Sequence, residues 1–108
     1  MAKFVYRMQN ILNIKQKLET QAQMAYSIAN QKYLDEQKVL QQYLIRRDGY
    51  EKQLKEAVQG NLDLQEVAHA RANVNDMKII VRRQMMNVHT AEKEMEDARA
   101  ALNEVMQE

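Results

Sequence analysis

The chain has 108 residues, no proline, no cysteine and two glycines, Gly49 and Gly60, so it turns few corners and offers neither a disulfide nor a thiolate metal site. Its 16 bases nearly balance its 15 acids, which argues against nucleic acid as the main partner. No apolar run approaches the roughly 18 residues of a membrane span.

The N-terminal stretch MAKFVYRMQNILNIKQK carries Lys3, Arg7, Lys15 and Lys17 and no acid before Glu19. Basic and amphipathic, it has the character of a membrane-surface helix or a transit peptide. Its apolar spacing continues far down the chain, however, and a cleaved presequence should end. The pattern predicts a first helix over residues 3–58. Its seam reads Phe4, Met8, Ile11, Lys15, Leu18, Ala22, Ala25, Ala29, Tyr33, Glu36, Leu40, Leu44, Arg47, Glu51, Leu54 and Val58. Two four-four steps, Ala25-Ala29-Tyr33 and Glu36-Leu40-Leu44, read as stutters that locally unwind a left-handed supercoil. Lys15, Glu36, Arg47 and Glu51 would have to contribute their aliphatic stems.

The segment LKEAVQGNLDLQEV, residues 54–67, breaks this pattern. Gly60 reads as a helix stop in the left-handed conformation, where glycine meets no steric penalty. Asp63 reads as the N-cap of the next helix, with Glu66 completing an acid-headed capping box. A turn is expected over 59–62. The rival glycine, Gly49 in RRDGY, sits inside a continuing helical pattern and reads as an exposed helical glycine costing about 1 kcal/mol.

A second helix is expected over 62–108. Val67, Val74, Val81, Val88, Met95 and Leu102 hold one heptad position, and Ala70, Met77, Gln84, Ala91, Ala98 and Val105 hold the other. Sustained three-four spacing of this kind is a coiled-coil signature. Only Gln84 is polar.

A short loop between two long helices makes them antiparallel neighbours. The expected fold is therefore all-α, a single antiparallel two-helix coiled-coil hairpin over residues 1–108. Facing residues should have numbers totalling about 121, so Val58 meets Leu64, Leu54 meets Val67, Leu40 meets Val81 and Leu18 meets Leu102. That register also sets Glu51 near Arg71, Lys55 near Glu66, Arg46 near Asp76 and Lys17 near Glu104, all opposite in sign. It leaves Phe4, Met8, Ile11 and Leu12 beyond the reach of the second helix, an apolar stripe in need of cover.

Chemistry is sparse. Glu66 and His69 have the Glu-x-x-His spacing of di-iron bundles, but such sites need a second motif, and Met86 stands three residues before His89. There is no glycine-rich phosphate loop, and the one serine, Ser27, has no histidine beside it. No enzyme, metal or other cofactor is expected. Apolar residues outside the seams, among them Tyr43, Tyr50, Ile79, Ile80 and Met86, suit a docking surface or self-association better.

FVYRMQNILNIKQKLE resembles the opening of the FliJ family of flagellar type III export proteins, which begin with an aromatic, an Arg-(Leu/Met)-Gln and a leucine soon after. YEKQLKEAVQGNLDLQEV is similar to the family's hairpin segment, and ARAALNEVMQE to its alanine-rich second helix. Members often carry an aromatic where Ala70 stands here. The family is related to the YscO-type stalk proteins of injectisomes. The resemblance implies a cytoplasmic, non-enzymatic stalk, peripherally associated with the inner-membrane export apparatus and without a membrane span. Its implied partners are the hexameric export ATPase, the cytoplasmic region of the export-gate membrane protein, and escort chaperones; nucleic acid is not among them. Because members commonly continue with a further basic stretch, the resemblance also implies that a C-terminal tail is missing here. Lys3, Phe4, Arg7, Met8, Ile11 and Leu12 are the candidate ATPase contact. Tyr43, Arg46, Tyr50, Met77 and Ile80 are the candidate gate contact, of which Tyr50 alone matches a family motif. The competing reading is a generic scaffold or tether whose hairpins self-associate into a four-helix bundle.

Overall fold

The computed structural model describes residues 2–60 and 63–107 and consists of two α-helices, α1 from Ala2 to Gln59 and α2 from Leu64 to Met106. They pack against each other as an antiparallel hairpin. Asn61 and Leu62, expected in the turn, and Glu108, the expected last residue of the second helix, lie outside the described residues.

Helix α1 runs straight through Gly49, and a Cβ placed there would meet nothing within 4 Å. Its end differs from expectation. No described glycine has a positive φ, so Gly60 is not a left-handed stop. Its N–H donates to the Glu56 carbonyl at 2.9 Å, extending the helical bonding pattern by one residue. A Cβ at Gly60 would sit 3.1 Å from that same oxygen. Glycine there spares that oxygen a tight contact and is not used for a left-handed backbone.

Asp63 opens α2 as expected. Its Oδ1 accepts the Gln65 N–H at 2.9 Å, and its carbonyl accepts the Val67 N–H at 3.1 Å. That is N-cap geometry. Glu66 adds negative charge in the first turn, where the helix dipole favours it.

The helices form two compact units, Leu34–Thr90 and Met1–Tyr33 with Ala91–Glu108. In the first, α2 contributes the buried residues Ala70, Val74, Met77, Val81 and Gln84. From α1 come the half-buried Glu36, Val39, Leu40, Tyr43, Leu44, Arg47, Tyr50, Leu54 and Ala57. No described residue of α1 is fully buried. Its covering side chains keep their outer edges wet, as tyrosine and arginine can. Arg47 illustrates the arrangement. Its Nε is enclosed without a hydrogen bond, 3.8 Å from Glu51 Oε1, while Nη2 reaches Asp48 Oδ1 at 3.4 Å.

At the polar layer of this unit, Gln84 Nε2 donates to the Glu36 carbonyl and to Glu36 Oε2, each at 2.9 Å. Its Oε1 accepts from Asn87 Nδ2 at 3.1 Å. The buried amide is thus satisfied on both sides, as burial requires. Residue 84 opposite residue 36 agrees with facing numbers that total about 121.

In the other unit, Ala91 and Met95 are buried, with Ala98, Leu102 and Val105 half-buried. Lys15, Glu19, Ala22, Tyr26, Ala29 and Tyr33 cover them from α1. Arg99 Nη2 donates to the Tyr26 hydroxyl at 3.2 Å, which raises the arginine's already high pKa, and its guanidinium lies 5.6 Å from the ring centroid. Lys32 Nζ pairs with Glu94 Oε2 at 3.3 Å. Both bonds reach about one turn further along α1 than the facing register. Side chains lean toward their own helix N-terminus, so long ones on antiparallel helices lean past each other and meet in this offset way.

The covered positions of α1 correct the expected seam. A ladder stepping by four and three runs through each unit, and Asn30, Val39 and Leu44 lie beside it, also half-buried, so the expected Glu36-Leu40-Leu44 step is covered together with Tyr43. Tyr26, Tyr43, Tyr50, Glu19 and Ala57 belong to the ladder, whereas Ala25 and Glu51 are exposed. Leu18 and Val58 are about half exposed, at 49% and 51%, and Leu64 is 79% exposed, so the expected Val58–Leu64 and Leu18–Leu102 contacts do not make a core. The reason is chemical. Tyrosine covers more apolar area than alanine or valine while keeping its hydroxyl in water. The four expected charge pairs also stay open: among the described residues, the ion pairs are Lys32–Glu94, Arg47–Asp48 and Arg47–Glu51. Solvated charges gain too little from pairing to hold long side chains in place.

Candidate partner-binding surfaces

Every described residue from Ala2 to Ile14 is exposed. At about 100° per residue, Phe4, Val5, Met8, Ile11, Leu12 and Ile14 fall within an arc of about 180°. Phe4 is 69% exposed and Ile11 60%. The arc is far wider than a two-stranded seam uses. Lys3 flanks one side of it and Arg7 falls just inside that edge, and with Ala2 and Tyr6 they line a shallow depression made by α1 alone. All six residues expected at the ATPase contact, Lys3, Phe4, Arg7, Met8, Ile11 and Leu12, are therefore on one open stretch of helix.

The second expected group is less coherent. Arg46 is exposed, its guanidinium 5.9 Å from the Tyr43 ring centroid. Tyr43, Tyr50 and Ile80 are half-buried at the edge of the seam. Met77 is 3% exposed. It is a core residue and presents nothing to a partner. Beside the end of the hairpin, Gln53, Glu56 and Ala57 of α1 face Asp63, Glu66, His69 and Asn73 across a shallow depression. Among the described residues no group of three or more His, Cys, Asp or Glu is placed to hold a metal ion. No described helix is long and apolar enough to cross a membrane.

Sequence reasoning noted Gln84 as the one polar residue in its heptad, but not its link to Glu36 and Asn87. The signal was present: a lone polar core residue needs a partner at the facing position, and Glu36 was the polar residue there. The Arg99–Tyr26 bond left no such signal, because neither residue stood on the expected seam.

A family model described as Flagellar FliJ protein matches residues 4–108. The chain belongs to the FliJ family. No curated protein and no solved structure matches it. FliJ proteins are components of the flagellar export apparatus, with a structural and export role and no enzymatic one, and the helical hairpin suits that role.

Proposed function

We propose that this FliJ-family chain is a coiled-coil stalk that binds the hexameric export ATPase and promotes its assembly and turnover. It contacts the cytoplasmic region of the export gate and escort chaperones, working in the cytoplasm at the inner-membrane export apparatus. The observation that carries the reading is the open apolar arc at residues 4–14 with Lys3 and Arg7 at one edge. Burying such side chains is worth on the order of 1.5–3 kcal/mol each, so a partner that covers them gains substantially.

The stalk acts by differential binding. A ligand that binds an assembled ring more tightly than separate subunits shifts the equilibrium toward the ring, and its effect is limited by that difference. It needs no catalytic group of its own. For the gate, Tyr50 and Arg46 are the proposed contacts, supported at their edges by Tyr43 and Ile80; Met77 is excluded by burial.

The experiment is to add the chain to its cognate export ATPase and measure turnover and hexamer content. Both should rise, and deleting residues 1–12 should abolish the effect while circular dichroism shows the hairpin still folded. No rise in either quantity contradicts the reading. A self-associating scaffold, favoured by the same exposed apolar side chains, would instead sediment as a dimer at micromolar concentration without the ATPase.

A further inference from the structure

The outer face of α2 carries a feature that neither proposed contact uses. Residues 77–91, MKIIVRRQMMNVHTA, contain Lys78, Arg82 and Arg83 and no acid, although the whole chain is nearly neutral. Arg82 and Arg83 are exposed and, among the described residues, form no ion pair. The other arginines of this unit's α1 are engaged: Arg47 with Asp48 and Glu51, and Arg46 with the Tyr43 ring. Between the two free arginines runs an apolar pair. Ile79 is 57% exposed and Met86 68%. They are seven residues apart, so they share one face of the helix, and at about 100° per residue Arg82 and Arg83 flank it on opposite sides. The buried residues Val74, Met77, Val81 and Gln84 occupy the opposite face. Helix α2 is thus two-faced here, with one seam filled and a second, cation-flanked one open.

We propose that this second seam docks an acidic amphipathic helix of a partner protein. Such a helix sets apolar residues at seven-residue spacing against Ile79 and Met86, and its carboxylates flank them within reach of Arg82 and Arg83. Helix-in-groove recognition reads anchors at this spacing, and arginine favours carboxylates because its planar fork can bond both oxygens. The composition selects against other anionic partners. A nucleic acid has no use for an Ile79–Met86 stripe between the cations, and a membrane surface requires a broad apolar arc, whereas this face has a narrow one.

The probe is a fluorescein-labelled 28-residue peptide with leucine at the core heptad positions and glutamate flanking them, followed by fluorescence anisotropy with the full chain. Binding is expected at low salt and should weaken at least tenfold in Arg82→Glu/Arg83→Glu and in Ile79→Ser/Met86→Ser. All four side chains project from the surface, and circular dichroism will check that each variant keeps its helix content. Phe4→Ser/Ile11→Ser should bind as the unaltered chain does, which separates this face from the N-terminal one. Absence of binding overturns the proposal, as does binding that survives both outer-face variants. A concentration-dependent dimer that Arg82→Glu/Arg83→Glu dissolves would also overturn it, by assigning the face to a second copy of this chain.

Discussion

Gln84 Nε2 lies 2.9 Å from the backbone carbonyl of Glu36 and 2.9 Å from its side-chain Oε2, at the only polar buried position of the seam among the described residues. A polar residue at a coiled-coil core position gives up stability and specifies register and partner number in return. Gln84→Leu should therefore raise the urea midpoint, by about 1 kcal/mol in unfolding free energy, and allow self-associated species to appear in sedimentation. Gln84→Glu sets one carboxylate against another and should cost about 1–3 kcal/mol. Equal destabilisation by both would make the layer a device for stability, not specificity.

The two glycines should respond differently to the same substitution. At Gly49 a methyl group meets open space, so Gly49→Ala should stabilise by about 1 kcal/mol through helix propensity. At Gly60 the methyl would press on the Glu56 carbonyl at 3.1 Å, and Gly60→Ala should gain little or lose. Thermal melts of the two variants side by side decide this. An equal gain at both sites would contradict the close approach at Gly60.

Removing the cap of α2 tests how the hairpin restarts. Asp63→Ala deletes the acceptor for the Gln65 N–H and should cost about 1 kcal/mol, with Asp63→Asn recovering most of it. Amide exchange at residues 64–67 should quicken in the alanine variant first. Unchanged exchange there would mean that the cap contributes nothing to holding the first turn.

The register can be fixed covalently. Leu40 is half-buried and Val81 is 4% exposed, and both lie in one compact unit. A Leu40→Cys/Val81→Cys chain should close an intramolecular disulfide under mild oxidation. A bond that forms only between chains would mean that the helices pair across a dimer.

How well each helix could be read follows from what its seam is made of. Val74, Met77, Val81, Ala91 and Met95 stood on the expected heptad of α2 and are buried, because aliphatic residues at three-four spacing have one natural use. Leu40, Arg47, Leu54 and Tyr33 of α1 were placed correctly as well. Leu18 and Val58 were preferred over Glu19 and Ala57 because hydropathy scores a side chain whole, while a glutamate stem or a small alanine can cover the partner helix. The same bias passed over Tyr26, Tyr43 and Tyr50; Tyr26 replaces the exposed Ala25 in the seam, while Tyr43 is covered beside Leu44, which is half-buried as expected. The tip was half legible: Asp63 announces itself by chemistry, but the tight approach of Gly60 to the Glu56 carbonyl is a distance that no sequence pattern expresses. Of the candidate contacts, the N-terminal group lies on an exposed stretch of α1, as its place beyond the reach of α2 led one to expect. Met77 was placed both on the heptad of α2 and among the gate contacts, and its burial upholds the first place and rules out the second.

The central claim is that the open face at residues 4–14 is the end that grips the export ATPase. The affinity of the cognate ATPase for the unaltered chain and for Phe4→Ser/Ile11→Ser, measured by isothermal titration, tests it most directly. Losing two buried apolar anchors at about 1.5–3 kcal/mol each should weaken binding by about 100-fold or more, with helix content unchanged. An ATPase that binds both chains equally tightly would contradict the claim.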